Sequence, residues 1–339
     1  MRHYPNRALG VVAVLACLLP TAARADVFNM PSGQTSVQMV TIGNRGNAAD
    51  TDGYGAVSYT YQMDKYDVTT AQYTQFLNAV AATDTYSLWD SNMAADFPPV
   101  GITRSGSNGG YAYSVIGNGN VPVVDVTWGD AARFSNWLQN GQPSGTEGPG
   151  TTETGAYTLN GAVSQSALAT ITRNAGAEYF IPSENERYKA AYYKGGGTNA
   201  GYWTYATQSN TIPSNALSAI GTNNANYLGQ NYTDPTNFLT PVGAFASSPS
   251  AYGTYDQTGD VFQWIETGAF TPSRGVRGGA WDSTNGNLVA SYTGSNLPPT
   301  FVDDDIGFRV AEVPEPGSFA LLAIGAAGLL LWARRRKAA

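Results

Sequence analysis

Apolar residues recur at helical spacing in one stretch of the chain, and cap signals place two further short helices. In TTAQYTQFLNAVAA, from Thr69, the positions Tyr73, Phe76, Leu77 and Val80 fall on one face. Thr69 and Gln72 stand at capping-box spacing, which predicts where that helix starts. In TWGDAARFSNWLQNG, Thr127 offers an N-cap, Asp130 sits in the first turn and Gly141 lies just past the end. In PSENERYKAAYYKGGG, Ser183 and Glu186 repeat the capping-box spacing, and Gly195 follows the last turn. Strand signals are short and scattered: AVSYTYQM, VPVVDV and GVRGGAW. The remainder is rich in Gly, Asn, Ser, Thr and Pro, and the stretch 140–165 reads as a surface insertion. No repeat of fixed period is present. The composition predicts an α+β domain with much irregular structure.

Two more apolar runs lie at the ends. Residues 1–25 combine Arg2 and Arg7, an apolar run from Ala8 to Leu19, and Ala23-Arg24-Ala25. That is the three-part pattern of a secretory signal peptide, with signal peptidase expected to cut between Ala25 and Asp26. The VLAC string ending at Cys17 leaves a lipoprotein reading open. Cys17 is the only cysteine, so cleavage after Ala25 leaves a chain without a thiol. At the other end, Pro314-Glu315-Pro316 precedes an apolar run from Ser318 to Ala333, then Arg334, Arg335, Arg336 and Lys337. The run is a little short of the ~20 residues of a usual membrane helix, and the basic cluster behind it is expected on the cytoplasmic side. A plain tail anchor would account for this. The order of parts in 313–339 also resembles the PEP-CTERM sorting signal, which implies recognition by an exosortase in the inner membrane of a Gram-negative bacterium. The expected course is export, a transient anchor, then the cell surface or extracellular matrix. The domain expected between the two signals is 26–312.

Charge narrows the partners. Seven of the 18 Lys and Arg residues lie in the two terminal segments, and the stretch between them carries more than twice as many acidic as basic residues. Such a surface repels nucleic acid and suits divalent cations.

Nine short strings in that stretch follow one order: MDKYDVTTAQYTQFLNAV, VPVVDVTWGDAARFSNWL, FIPSENERYKAAYYKGG, YWTYA, NANY, PVGAF, YGTYDQTGDVFQW, VRGGAW and IGFRV. Together they resemble the formylglycine-generating enzyme family, the sulfatase-modifying-factor domain, over roughly residues 35–311. The resemblance implies a variant of the C-type-lectin-like fold, with little regular secondary structure and long ordered loops. Trp128, Trp137, Trp203, Trp264 and Trp281 are expected to fill the core rather than hold ligands. Gly278 and Gly279 are expected where the backbone is tight. Arg309 is expected as the buried partner of a carboxylate.

The resemblance also implies a copper site, which active members build from two cysteines just after the GG-aromatic motif, because Cu(I) needs soft ligands. Those two positions are Ser283 and Leu288 here. His3, within the signal peptide, is the only histidine, so the three-histidine iron site of a related branch and a Ser-His-Asp triad are not expected either. Neither copper nor iron is expected as a cofactor. A carboxylate pair for glycoside hydrolysis remains open, but no motif points to one. Calcium asks only for oxygen ligands. Two family positions carry over. One comprises the Asn226 and Asp234 side chains with the Tyr227 and Thr236 carbonyls. The other comprises the Asp256 and Gln263 side chains with the Gly259 and Val261 carbonyls. The family has Glu where Gln263 stands, and all these residues would also serve as ordinary Asx-turn residues. The expected function is a non-catalytic surface or matrix protein that binds a glycan, extracellular polysaccharide or envelope protein. An enzyme of the same superfamily with a cysteine-independent mechanism is the alternative.

Overall fold

The structure is a computed structural model that describes residues 36–96, 99–268 and 272–313. The signal-peptide and sorting-signal residues, including Ala23, Ala25, Pro314, Glu315, Pro316 and Arg334–Arg336, lie outside the described residues.

In chain order the elements are β1 (Met39–Ile42), β2 (Tyr61–Asp64), α1 (Thr70–Val80), β3 (Gly101–Ser105), β4 (Ala112–Ile116), α2 (Trp128–Gln139), α3 (Gln165–Thr170), β5 (Tyr179–Phe180), α4 (Glu184–Tyr192), β6 (Phe262–Trp264), β7 (Arg274–Arg277), β8 (Asn296–Leu297), β9 (Ile306–Gly307) and β10 (Ala311–Glu312). This is the α+β fold with few helices and long loops that the composition and the resemblance implied.

The three helices read from periodicity and cap signals start where their caps place them. In α1 the Thr69 hydroxyl accepts from the Gln72 amide at 3.2 Å, and the Gln72 side chain accepts from the Thr69 amide at 2.9 Å. In α2 the same exchange links Thr127 and Asp130, at 3.0 and 2.8 Å. In α4 it links Ser183 and Glu186, at 3.4 and 2.7 Å. Each exchange satisfies two amides that the helix leaves orphaned. Gly141 follows α2 at φ +81°, where a Cβ would be disfavoured. The α4 helix stops sooner than Gly195 suggested, because Tyr193 turns extended and bridges to Tyr202.

The strands form two four-stranded sheets, ordered β1-β2-β10-β5 and β8-β7-β6-β9, and a separate β3-β4 hairpin. The first sheet is antiparallel throughout. Between the sheets and helices lies a core with Tyr73, Phe76, Phe134, Trp137 and Phe308 packed ring against ring, centroids 5.3–6.3 Å apart. Trp128 and Trp264 are fully buried, as expected of core plugs. Arg309 is also fully buried and sits 3.0 Å from a carboxylate oxygen of Asp67, the expected partnership.

One expectation needs correction and another needs detail. VPVVDV is buried along its whole length but forms no strand. Its bonds to other backbone go to three separate places: Val121 O to Thr70, Val123 N to Val68 and Asp125 N to Asp303. The stretch 140–165 does lie at the surface, with Ser144, Thr146 and Gly150 exposed, but it is held in place. It is wrapped against α2, with Thr152, Ala156 and Tyr157 at 0% exposure and the Asn136 amide donating to the Thr152 and Tyr157 carbonyls.

The second sheet positions the site. Strand β6 pairs antiparallel with β7, Gln263 opposite Arg277, and parallel with β9, Gln263 opposite Gly307. The segments entering β6 and β9 and the segment leaving β7 therefore emerge at one end of the sheet. These are residues 256–261, 303–305 and 278–283.

Candidate functional site

The segment leaving β7 turns at once. Gly278 and Gly279 have φ of +111° and +77°. A Cβ on Gly278 would lie 2.7 Å from Arg187 Nη2, and one on Gly279 would lie 2.5 Å from Leu288 Cδ2. The tight backbone is therefore a packing requirement. Beyond it the Trp281 amide donates to Asp260 O at 2.9 Å. The Trp281 ring packs against Phe238 and Tyr232, with centroids 4.8 and 5.5 Å away. The Ser283 hydroxyl accepts from the Ala280 amide at 3.0 Å, and its carbonyl accepts from Leu228 at 2.9 Å. A short 3-10 turn, Asn285–Asn287, then carries Leu288 into an apolar cluster with Tyr205, Ala225 and Tyr227, where it is 0% exposed. The face beside Trp281 is thus covered by aromatic rings. Ser283 is committed to a backbone turn and Leu288 to packing.

Of the first calcium position, Asn226 is 1% exposed, and its amide nitrogen donates to Phe238 O and to Asp260 Oδ1, both at 2.8 Å. Its carbonyl oxygen Oδ1 is buried with no hydrogen-bond partner. A buried acceptor in that condition fits a cation. Asp234 closes an Asx turn, accepting from the Thr236 and Asn237 amides at 2.9 and 3.0 Å. Against the upward push of burial, the Asn237 side-chain amide, donating at 2.7 Å, and those two backbone bonds hold its carboxyl below the usual range. The Tyr227 carbonyl accepts from Asn215 Nδ2 at 3.3 Å. The second position is more committed. Gln263 accepts from Arg187 Nε at 3.2 Å and donates to Asp256 O at 2.9 Å, and the Arg187 charge opposes a second cation there. Asp256 accepts from the Gly243 amide at 2.6 Å, and burial pushes its carboxyl up to about 6. The Gly259 carbonyl accepts from Val261 N at 3.0 Å.

Asp260, between Gly259 and Val261, escaped the sequence reading although it lies inside the string YGTYDQTGDVFQW. It is 1% exposed, accepts from Asn226, from the Thr240 amide at 3.0 Å and from the Thr240 hydroxyl at 3.1 Å. Burial and the neighbouring Asp256 push it well above the usual carboxylate range. It joins the two positions, since its side chain holds Asn226 while its flanking carbonyls belong to the second set.

A cleft of about 340 Å³ opens elsewhere, between the start of α2 and the loop before α3. Its lining includes Tyr86, Thr127, Asp130, Arg133, Leu168 and Thr300. The Arg133 guanidinium lies 4.5 Å from the Tyr86 ring centroid and pairs with Glu153 at 2.7 Å. Burial pushes Asp130 up to about 7 against the hydrogen bonds from Thr127. Arg133 and Asp130 are buried and committed to Glu153 and Thr127, so what the cleft presents is the half-buried Tyr86 ring with the Thr127 and Thr300 hydroxyls, which can meet an apolar face and the hydroxyls of a polar ligand. In the sequence Thr127 reads as an N-cap and Asp130 as a first-turn residue, and nothing in the local pattern announces that they also line a cleft.

Residues 27–313 match the sulfatase-modifying factor enzyme 1-like domain. The chain belongs to that family. Residues 312–337 match the PEP-CTERM protein-sorting motif, so this sulfatase-modifying-factor protein is exported and sorted to the surface of a Gram-negative cell by an exosortase. No curated protein matches the chain. Among solved structures it is similar to CarF, at 19% identity over 81% of this chain and 98% of that one, TM-score 0.49. It is similar to Treponema denticola variable protein 1, at 17% identity over 83% and 97%, TM-score 0.48. It is similar to PvdO from Pseudomonas aeruginosa, at 19% identity over 81% and 91%, TM-score 0.45. Among the described residues no helix is long and apolar enough to cross a membrane, and the expected tail helix lies outside them.

Proposed function

We propose that this sulfatase-modifying-factor domain is an exported binding module without the family's oxidase chemistry, and that its cleft at Tyr86 and Thr127 takes a saccharide segment of an extracellular polysaccharide. The observation that carries the reading is Leu288, sealed at 0% exposure among Tyr205, Ala225 and Tyr227. A residue there supports packing and cannot bind copper, and the Ser283 hydroxyl is a hard, weak ligand for Cu(I). The cleft supports the binding half, since its volume and mixed lining suit a small polar ligand. Calcium at Asn226, Tyr227, Asp234 and Thr236 has a structural role in this reading, which the unpartnered Asn226 Oδ1 supports. Signal peptidase acts before the exosortase, and the membrane anchor is transient.

Two measurements test the proposal. The exported protein, incubated aerobically with Cu(I), reductant and a sulfatase-motif peptide, should leave the peptide's mass unchanged. Any protein-dependent conversion of thiol to aldehyde overturns the non-catalytic reading. On a glycan array, binding should appear and should fall at least tenfold in Tyr86→Ala, while the fold, followed by circular dichroism, is kept. Binding unaffected by Tyr86→Ala places the ligand elsewhere and sinks the cleft assignment.

A further inference from the structure

Arg187 lies in the middle of α4 at 0% exposure. Among the described residues no carboxylate comes within ion-pair distance of it. Two other buried guanidiniums are paired, Arg133 with Glu153 at 2.7 Å and Arg309 with Asp67 at 3.0 Å. A buried charge without a counter-ion is costly unless neutral oxygens accept from it.

Arg187 is caged by such oxygens. Its Nε donates to Gln263 Oε1 at 3.2 Å, its Nη1 to the Tyr192 hydroxyl at 3.1 Å, and its Nη2 to the Gln257 carbonyl. These acceptors come from β6, from the end of α4 and from the segment entering β6. The backbone makes room for the charge, since a Cβ on Gly278 would lie 2.7 Å from Nη2. Gln263 is itself held by donating from Nε2 to the Asp256 carbonyl at 2.9 Å. A glutamate could not make that bond, so the amide suits a place whose positive charge comes from the chain. The charge also acts beyond the cage. Burial pushes Asp67 up to about 8, and Arg309 and Arg187 both oppose that push.

Oxygens from separate segments that converge on one positive charge are also how calcium is held. The second family position, at Asp256, Gly259, Val261 and Gln263, needs the same Gln263 oxygen. An ion bound to it at about 2.4 Å would stand no more than about 6 Å from the Arg187 nitrogen, where like charges repel. The residues therefore do not fit a metal ion there. We propose that the Arg187 guanidinium is the resident cation of this position, gathering Tyr192, Gln257 and Gln263 in place of a metal ion. A bound ion leaves when calcium falls, and a side chain does not. This end of the second sheet thus keeps its shape at any calcium concentration, whether or not the Asn226 position takes calcium or the cleft takes a saccharide.

Calcium per chain, read by elemental analysis of the exported protein after gel filtration in millimolar calcium, tests this. Gln263→Ala, which removes the shared oxygen, should hold as much calcium as the parent. Gln263→Glu, which restores the family's carboxylate beside an intact guanidinium, should do the same. Arg187→Met with Gln263→Glu removes the resident charge and supplies the carboxylate, and should hold one calcium per chain more than the parent. Its melting midpoint should rise between EDTA and calcium by about 5 °C or more beyond any rise in the parent. Should the double variant fail to fold even in calcium, the two Gln263 variants decide. One calcium lost in Gln263→Ala shows that a metal ion already sits on that oxygen, and one gained in Gln263→Glu shows that the guanidinium leaves room for it. Either result overturns the proposal, as does a folded double variant that gains no calcium.

Discussion

Arg133 and Glu153 meet 2.7 Å apart, each side chain only 2% exposed, and so join helix α2 to a stretch that composition marks as a surface insertion. Glu153 also accepts from the Gly161 amide at 2.6 Å and from the Thr152 hydroxyl at 3.1 Å. Glu153→Gln leaves Arg133 buried without its counter-charge and should cost about 3–5 kcal/mol. Arg133→Met combined with Glu153→Leu removes both charges and should cost less than either single change. Denaturant titrations at fixed calcium measure this, and a double variant less stable than both singles would contradict it.

The glycine pair after β7 makes a second prediction. Gly279→Ala combines φ +77° with a Cβ 2.5 Å from Leu288 Cδ2. Gly176→Ala has a similar φ, +81°, but open space around the new methyl. Both should bear a backbone cost of about 1–2 kcal/mol. Only Gly279→Ala should add an overpacking cost of about 1–3 kcal/mol. Equal losses of stability in the two variants would remove the clash from the account.

Lys189 gives a pH-dependent prediction. It is fully buried, donates to Asn44 O at 3.1 Å, and burial pulls its ammonium down to about 8. Between that value and the ordinary 10.5 the unfolded chain binds the proton and the folded chain does not. Stability contributed by this group therefore rises with pH across that window and is lowest below it. Lys189→Met should raise the melting temperature at neutral pH by a few degrees. The gain should shrink as pH climbs through the window, and a gain independent of pH would show that packing, not charge, is responsible.

The sorting motif predicts a processed tail. In a host lacking its exosortase, the protein should accumulate in the inner membrane with the tail intact. Intact mass should then differ between the two strains by the tail. Identical C-terminal masses would leave a plain anchor in place of sorting.

What could be read in advance follows from how local each determinant is. The starts of α1, α2 and α4 were legible because a capping box is complete within four residues. The buried character of Arg309 and the tight turn at Gly278 and Gly279 came through the family strings. VPVVDV misled because burial and strand pairing leave the same apolar run in a sequence, while its backbone bonds go to Val68, Thr70 and Asp303. The 140–165 stretch misled because its order comes from side chains such as Asn136 and Glu153 bonding to loop backbone, which creates no periodicity. At the candidate site, Ser283 and Leu288 were legible as substitutions. Asp260 was not, because what singles it out is the company it keeps in the folded chain.

Strand β10 has a mechanical consequence. It is an inner strand, paired on one side through Ala311 with Met63 and on the other with Phe180, and the next amide, Val313, still donates to Glu178 O at 3.0 Å. Whatever tethers the chain beyond residue 313 thus pulls on the middle of a sheet. Tension is shared at once between β2 and β5, and Arg309, two residues upstream of the strand and gripping Asp67 and the Asp64 carbonyl, acts as a second stop. A pull from beyond residue 313 meets two strand pairings and a buried ion pair before it reaches any loop.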